Sequence, residues 1–256
     1  MRVATIAALL SLLTARTASS QVPTAYRPSA DTLRYEAVNS YLMYFVRGSD
    51  TLGEPIMTRT RETRHLKATP TGLELWVRLE GTGPNPFRSQ QTYTVAPNGR
   101  VLAVDGQPAA TVQGARVDVL PRLPAHAGPL APGVAWDDTV AIRGTPPYGP
   151  TYYQVKRTYR VLRTLDTLGT TLALIAASGE MRLRQGGWQD SAQALVWWQE
   201  VAGPVADTVH LDVGAGRVIA SVAVMELVGN GGLGPRDGGV TMPSGLRSSV
   251  RLSIQR

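Results

Sequence analysis

Along much of this chain, apolar side chains recur at every second position. Leu73, Leu75, Val77 and Leu79 alternate with residues that include Glu74 and Arg78. Val209, Leu211 and Val213 alternate with His210 and Asp212, and Val250, Leu252 and Ile254 with Arg251 and Ser253. A period of two sends successive side chains to opposite faces of an extended strand, whereas an amphipathic helix needs a period of 3.6. A helical reading competes only over 33–44, where β-branched and aromatic residues favour a strand. The pattern predicts an all-β protein of half-buried antiparallel strands, about ten to thirteen of them.

Two short motifs occur twice. Asp50-Thr-Leu-Gly53 returns as Asp166-Thr-Leu-Gly169, and Gly99-Arg-Val-Leu-Ala103 returns as Gly216-Arg-Val-Ile-Ala220, at nearly equal spacing. Two independent matches of this kind predict a duplicated module of roughly 115 residues. Asp at the first and Gly at the fourth position suit a type I turn, and Asn98-Gly99 and Gly214-Ala-Gly216 are hairpin signals. The expected architecture is two similar antiparallel units, 33–119 and 151–256, built as a sandwich or half-barrel. Between them, 120–150 is dense in proline and reads as an ordered connector that holds no central strand, with Trp136 tucked against a sheet. Residues 229–239 contain six glycines and read as a mobile loop. Near-continuous apolarity over 219–227 predicts a strand covered on both faces.

Residues 1–20 have the form of an export leader. Met1-Arg2 is a positive start, 3–13 is an apolar run, and Ala18 and Ser20 stand where a signal peptidase reads small residues. The run is too short to cross a hydrocarbon core of about 30 Å, and no later segment approaches about 20 apolar residues. Because the chain has no cysteine, lipid attachment at the cleavage site is excluded, as are disulfides, thiolate metal sites and a cysteine nucleophile. The expectation is an exported protein, periplasmic or secreted, without a lipid anchor or a transmembrane segment. Residues 21–32, polar and proline-bearing, read as a flexible leader to the fold.

The formal charge of +7 falls to +5 once Arg2 and Arg16 leave, with 24 basic residues against 19 acidic ones. Apart from Lys67 and Lys156 every basic residue is arginine, and these are scattered without a run or an aromatic-interleaved stripe, so nucleic acid is not an expected partner. The densest group, Arg157, Arg160, Arg163, Arg182 and Arg184, reads as a solvated sheet face or as a contact for an anionic envelope partner such as lipid phosphate or acidic glycan.

Candidate chemistry is sparse. Gly229-x-Gly231-x-x-Gly234 follows a strand, but Pro235 and the glycines after it start no helix, so a dinucleotide site does not fit. The paired Asp-Thr-Leu-Gly motifs carry a leucine inside the tripeptide that an aspartic-protease loop needs, and read as turns. His210 and Asp212, two apart on one strand, share a face and would serve a hydrolytic triad if a serine lay near. His65 lies in the wholly polar stretch 58–65, which reads as an exposed or edge strand, and His126 lies in the connector. Three histidines in three settings predict no metal site, and no cofactor is expected. Asp137 and Asp138 project to opposite faces and do not chelate together. Tyr152, Tyr153, Trp197 and Trp198 are the candidate ligand-binding residues, because consecutive aromatics on a strand place one ring on each face.

Pro121-x-x-Pro124, Pro132-Gly133-x-x-Trp136, Gly99-Arg-Val and Asp212-x-x-x-Gly216-Arg-Val together resemble a broad group of exported β-rich bacterial proteins of unknown function, over roughly residues 33 to 228. The chain is also distantly similar in kind to periplasmic lipoprotein-carrier half-barrels, open antiparallel sheets curled around acyl chains. The resemblance implies fold and export but no catalytic residue. The function expected is that of a non-enzymatic binding protein of the envelope or medium, holding an apolar or anionic ligand such as a lipid or glycan on a sheet face or in the cleft between units. A secreted hydrolase and a structural surface module are the alternatives.

Overall fold

The computed structural model describes residues 25–82, 86–109, 119–125, 128–144, 151–167, 170–188, 195–234 and 239–255. The segment read as an export leader, His126 and residues 168–169 lie outside the described residues. The described residues form thirteen strands. They are β1 (Leu33–Arg47), β2 (Asp50–Leu52), β3 (Ile56–Thr69), β4 (Gly72–Thr82), β5 (Phe87–Val95), β6 (Val101–Val104) and β7 (Gln107–Pro108). After the connector come β8 (Ala135–Gly144), β9 (Thr151–Thr167), β10 (Thr170–Trp188), β11 (Leu195–Asp212), β12 (Arg217–Leu233) and β13 (Val240–Ile254).

All belong to one antiparallel sheet, not closed into a barrel. Its order is β7-β6-β5-β4-β3-β1-β13-β12-β11-β10-β9-β8, with β2 folded back on β1. Two meanders, β3 to β7 and β8 to β13, are thus joined through β1. That strand pairs with β3 on one side (Tyr35 opposite Glu62) and with β13 on the other (Tyr35 opposite Ile254, Phe45 opposite Ser244). The all-β expectation holds, as a single continuous sheet. Of the repeated motifs, Gly99 and Gly216 take the same role: each has a positive φ (84° and 60°) and precedes a strand. The other pair differs, since Asp50 opens β2 whereas Asp166 lies near the end of β9.

The sheet curls strongly enough for its two ends to pack face to face. One buried cluster joins Leu75 and Val77 of β4 and Tyr93 and Val95 of β5 to Tyr159 of β9, Ile175 of β10 and Val209 of β11. Connector residues Leu120, Leu123 and Leu130 complete it. A second cluster, Val155, Met181, Leu183, Val201, Val205, Leu227 and Leu246, fills the other end of the long C-terminal strands. There the curl is tight: Gln185 Nε2 of β10 lies 3.7 Å from Met43 Sδ of β1, although β11, β12 and β13 separate those strands.

Several expectations are corrected. Part of the supposed flexible leader is tied down. Tyr26 is 3% exposed, its N–H donates to Pro97 O (2.8 Å) and its hydroxyl donates to Pro121 O (2.9 Å). Burial pushes that phenol far above its ordinary pKa, so it remains a donor. Arg27 donates to Gly214 O and Ser29 N–H to Leu66 O, so residues 26–29 strap the turn before β6, the connector and the β11–β12 turn together. The connector includes a strand, β8, but at the sheet edge, where flanking prolines are tolerated, so the expectation of no central strand there stands. The apolar strand β12 is covered on one face only, with Val222, Val224 and Val228 exposed.

The glycine-rich segment is strand as far as Leu233. Aromatic rings explain this, because they cover the places where glycine leaves the sheet bare. Trp198 lies over Gly232, Phe45 over Gly231, Tyr44 over Gly245, Trp197 over Gly187 and Phe87 over Gly81. A β-carbon at 231 would stand 2.6 Å from the Phe45 ring and 2.8 Å from Trp198 O. Gly231→Ala is therefore expected to lower the unfolding free energy by about 1–3 kcal/mol. Gly214→Ala, whose β-carbon would meet nothing closer than 3.5 Å, should change it by about 0.5 kcal/mol or less. Urea denaturation of both variants reads the contrast.

Candidate functional site

Between the two apolar clusters the inner face of the sheet is polar. β3 contributes Glu62 and Arg64, 2% and 4% exposed, in the very stretch that reads in sequence as an exposed or edge strand. β3 is instead interior to the sheet, between β4 and β1, and its polar residues line the inside of the curl. Arg64 Nε donates to Glu62 Oε1 at 2.7 Å, and its guanidinium lies 4.9 Å from the centre of the Tyr35 ring. Tyr35 in turn donates to Val218 O (2.9 Å), which spans from β1 to β12.

Facing this pair are Asp138 of β8, Arg157 and Tyr159 of β9, Asp207 of β11 and Arg122 of the connector. Arg157 Nε lies 3.0 Å from Asp207 Oδ2, and Arg122 Nε lies 3.7 Å from Asp138 Oδ2. Trp136 stacks on Tyr159 with ring centres 5.3 Å apart and donates from Nε1 to Arg122 O, so β8 and β9 hold the connector in place. Burial pushes the Asp138 carboxyl above its ordinary pKa, against the pull of Arg122 and Arg157. Burial likewise raises the Tyr159 phenol, which stays protonated.

These groups line a half-open cavity of about 370 Å³. It exists because the strands that floor it carry small side chains there: Ala37 and Asn39 on β1, Thr60 on β3, Ser221 and Ala223 on β12. Val140, Val250 and Leu252 supply apolar wall, and Leu79 and Phe87 complete one side, Phe87 being 46% exposed. The site is thus an apolar-walled cavity crossed by three ion pairs, within the usual size range of small-molecule sites. No protein-family model matches the chain, and no curated protein does either.

The residues singled out from sequence lie elsewhere. The extra residue of the irregularity at His210 and Leu211 is Ile219 of β12, so the alternation within β11 persists with Val209 and Leu211 buried; His210 is exposed, whereas Asp212, at the end of the strand, is 4% exposed. The Asp212 carboxylate accepts from Thr170 Oγ1 (2.7 Å) and Ala215 N–H (2.9 Å) and lies 3.5 Å from Arg217, which makes it the cap of the β11–β12 turn. Tyr153 packs on the second apolar cluster, while Tyr152 stands on the other face beside Arg143. Trp198 is 8% exposed over Gly232, and Trp197 is half-buried over Gly187. All four aromatics sit near the starts of β9 and β11, away from the waist cavity. Asp137 and Asp138 do point to opposite faces, Asp137 accepting from Thr158 Oγ1 outside. Of the arginine group, 160, 163, 182 and 184 are exposed, while Arg157 turns inward. Among the described residues no group of three or more His, Asp or Glu could hold a metal ion, and no helix is long and apolar enough to cross a membrane.

Glu62→Gln removes the charge partner of a buried guanidinium and should cost about 3–5 kcal/mol in denaturant unfolding, whereas the double change Glu62→Met with Arg64→Met should lose far less. Asp138 carries a pH signature. Its folded pKa is raised above the unfolded value, so its contribution to stability is present below the unfolded pKa, about 3.9, and is lost as pH rises through the folded value. Thermal melts should therefore show Asp138→Asn gaining on the wild type as pH rises from about 4 towards neutrality. A difference independent of pH would contradict this.

Proposed function

We propose that this chain is a non-enzymatic binding protein of the cell envelope or the surrounding medium, which holds a small ligand with an apolar body in the waist cavity of its curled sheet. One observation carries the reading: the inner face, packed at both ends, is left unfilled at the middle by small side chains and lined there by three guanidiniums and three carboxylates. A core selected for stability alone would be expected to close such a space, since protein interiors pack to crystal density and each void costs contacts. Buried ion pairs give little net stability over apolar residues of the same volume, so their presence here favours a role in recognition. The apolar run near the N-terminus supports an exported location. Binding is favoured over hydrolysis because the carboxylate of the one candidate catalytic pair is engaged in capping a turn.

Native mass spectrometry of protein recovered from the periplasm or medium should show an adduct of a few hundred daltons. Ala223→Phe, which places a ring in the cavity, should remove the adduct while shifting the melting temperature by no more than about 4 °C. An adduct that survives this substitution would place the ligand elsewhere.

A further inference from the structure

Among the described residues that line the waist cavity the charges balance, and that restricts what can enter it. Arg64, Arg122 and Arg157 face Glu62, Asp138 and Asp207. Any ion added alone to this set leaves net charge in a space partly shielded from water, which is unfavourable. A charged ligand must therefore arrive with a compensating proton. Resting on the binding reading above, we propose that the ligand is a monocarboxylic acid with an apolar body, bound as the carboxylate on Arg122 together with one proton that is taken up by Asp138.

The exchange conserves charge. The ion pair between Arg122 and Asp138 opens, the ligand carboxylate takes the place of Asp138 on the guanidinium, and Asp138 becomes a neutral carboxylic acid. One anion and one proton enter, so the cavity remains neutral. A planar guanidinium suits this role because its paired donors match a carboxylate in two-point contact.

The geometry selects this pair among the three. Its separation of 3.7 Å exceeds the 2.7 Å of Arg64 with Glu62 and the 3.0 Å of Arg157 with Asp207. Arg122 also belongs to the connector, so its side chain is not set by strand register, as those of Arg64 and Arg157 are. Around Asp138 the charged groups are Arg122 from the connector, Arg157 from β9 and, further off, Arg100 from the turn before β6; the Thr139 N–H donates to it. Glu62 and Arg64 of β3 and Asp207 of β11 complete the lining. Burial raises the Asp138 carboxyl against the pull of the guanidiniums around it, which suits it to take up a proton. Val140, Val250 and Leu252 offer the apolar wall against which the ligand body would lie.

Isothermal titration of the full protein with decanoate and with decanol, in two buffers of different ionisation enthalpy, tests this. Decanoate should bind the wild type with uptake of one proton, its Kd rising with pH by up to about tenfold per pH unit. Asp138→Asn should bind decanoate more tightly than the wild type at higher pH, with no proton uptake and a flat pH profile. Arg122→Met should lose decanoate but keep any affinity for decanol. Decanoate binding without proton uptake, or uptake that persists in Asp138→Asn, overturns the proton exchange. Binding of decanol with decanoate excluded overturns the carboxylate and leaves the cavity as a binding site. Failure of both probes overturns the binding reading as well.

Discussion

The pairing of β1 with β13 is the constraint on which the molecule depends. Residues 35–45 lie opposite 254–244, so the first strand of the described fold is zipped to the last. Remove that seam and two meanders remain, each with an unpaired edge and each lacking the opposite wall of its core. The seam also builds the cavity, whose floor takes Ala37 and Asn39 from β1, Val250 and Leu252 from β13, and small residues from β12 beside them. Closing so long a loop adds an entropic cost that grows only logarithmically with its length. Its kinetic consequence is larger, because non-local strand pairing makes folding slow.

Curling gives the inner face three layers. Apolar clusters occupy both ends, and ion pairs occupy the waist between them. The same curl accounts for the glycines of the long strands: where strands crowd, a ring from a nearby strand covers a position that can carry no β-carbon. Trp197 and Trp198, attractive as ligand platforms in sequence, are absorbed in this way. The segment at 26–29 then ties two turns, strand β3 and the connector at one end of the curl, where Gly216 lets the chain pass within 2.6 Å of where its β-carbon would stand.

Sequence reading was sound wherever one face of a strand is apolar. Leu73, Leu75 and Val77 are buried as their alternation requires, and Val250, Leu252 and Ile254 line one face of β13. It failed where the inward face is polar. Thr60, Glu62 and Arg64 alternate with Arg59, Arg61 and Thr63, and nothing local separates the set that meets water from the set that meets a cavity. The only usable signal was the pairing of opposite charges two positions apart, at Glu62 and Arg64, on a strand that continues through Leu66. His210 and Asp212 failed for a different reason: the Asp212 carboxylate is taken up as the cap of the β11–β12 turn, which leaves no mark on the periodicity.

From the sequence by itself came the extended conformation, the apolar face of most strands, the turns at Gly99 and Gly216, and the exclusion of cysteine chemistry. Each of these follows from interactions between residues a few positions apart, which composition and spacing record directly. Only the tertiary structure decided that β1 meets β13, that a polar strand runs through the middle of the sheet, and that Glu62, Arg122, Asp138, Arg157 and Asp207 share one space. Those outcomes depend on which surfaces the curl brings face to face, and burial of a polar residue is a property of what covers it.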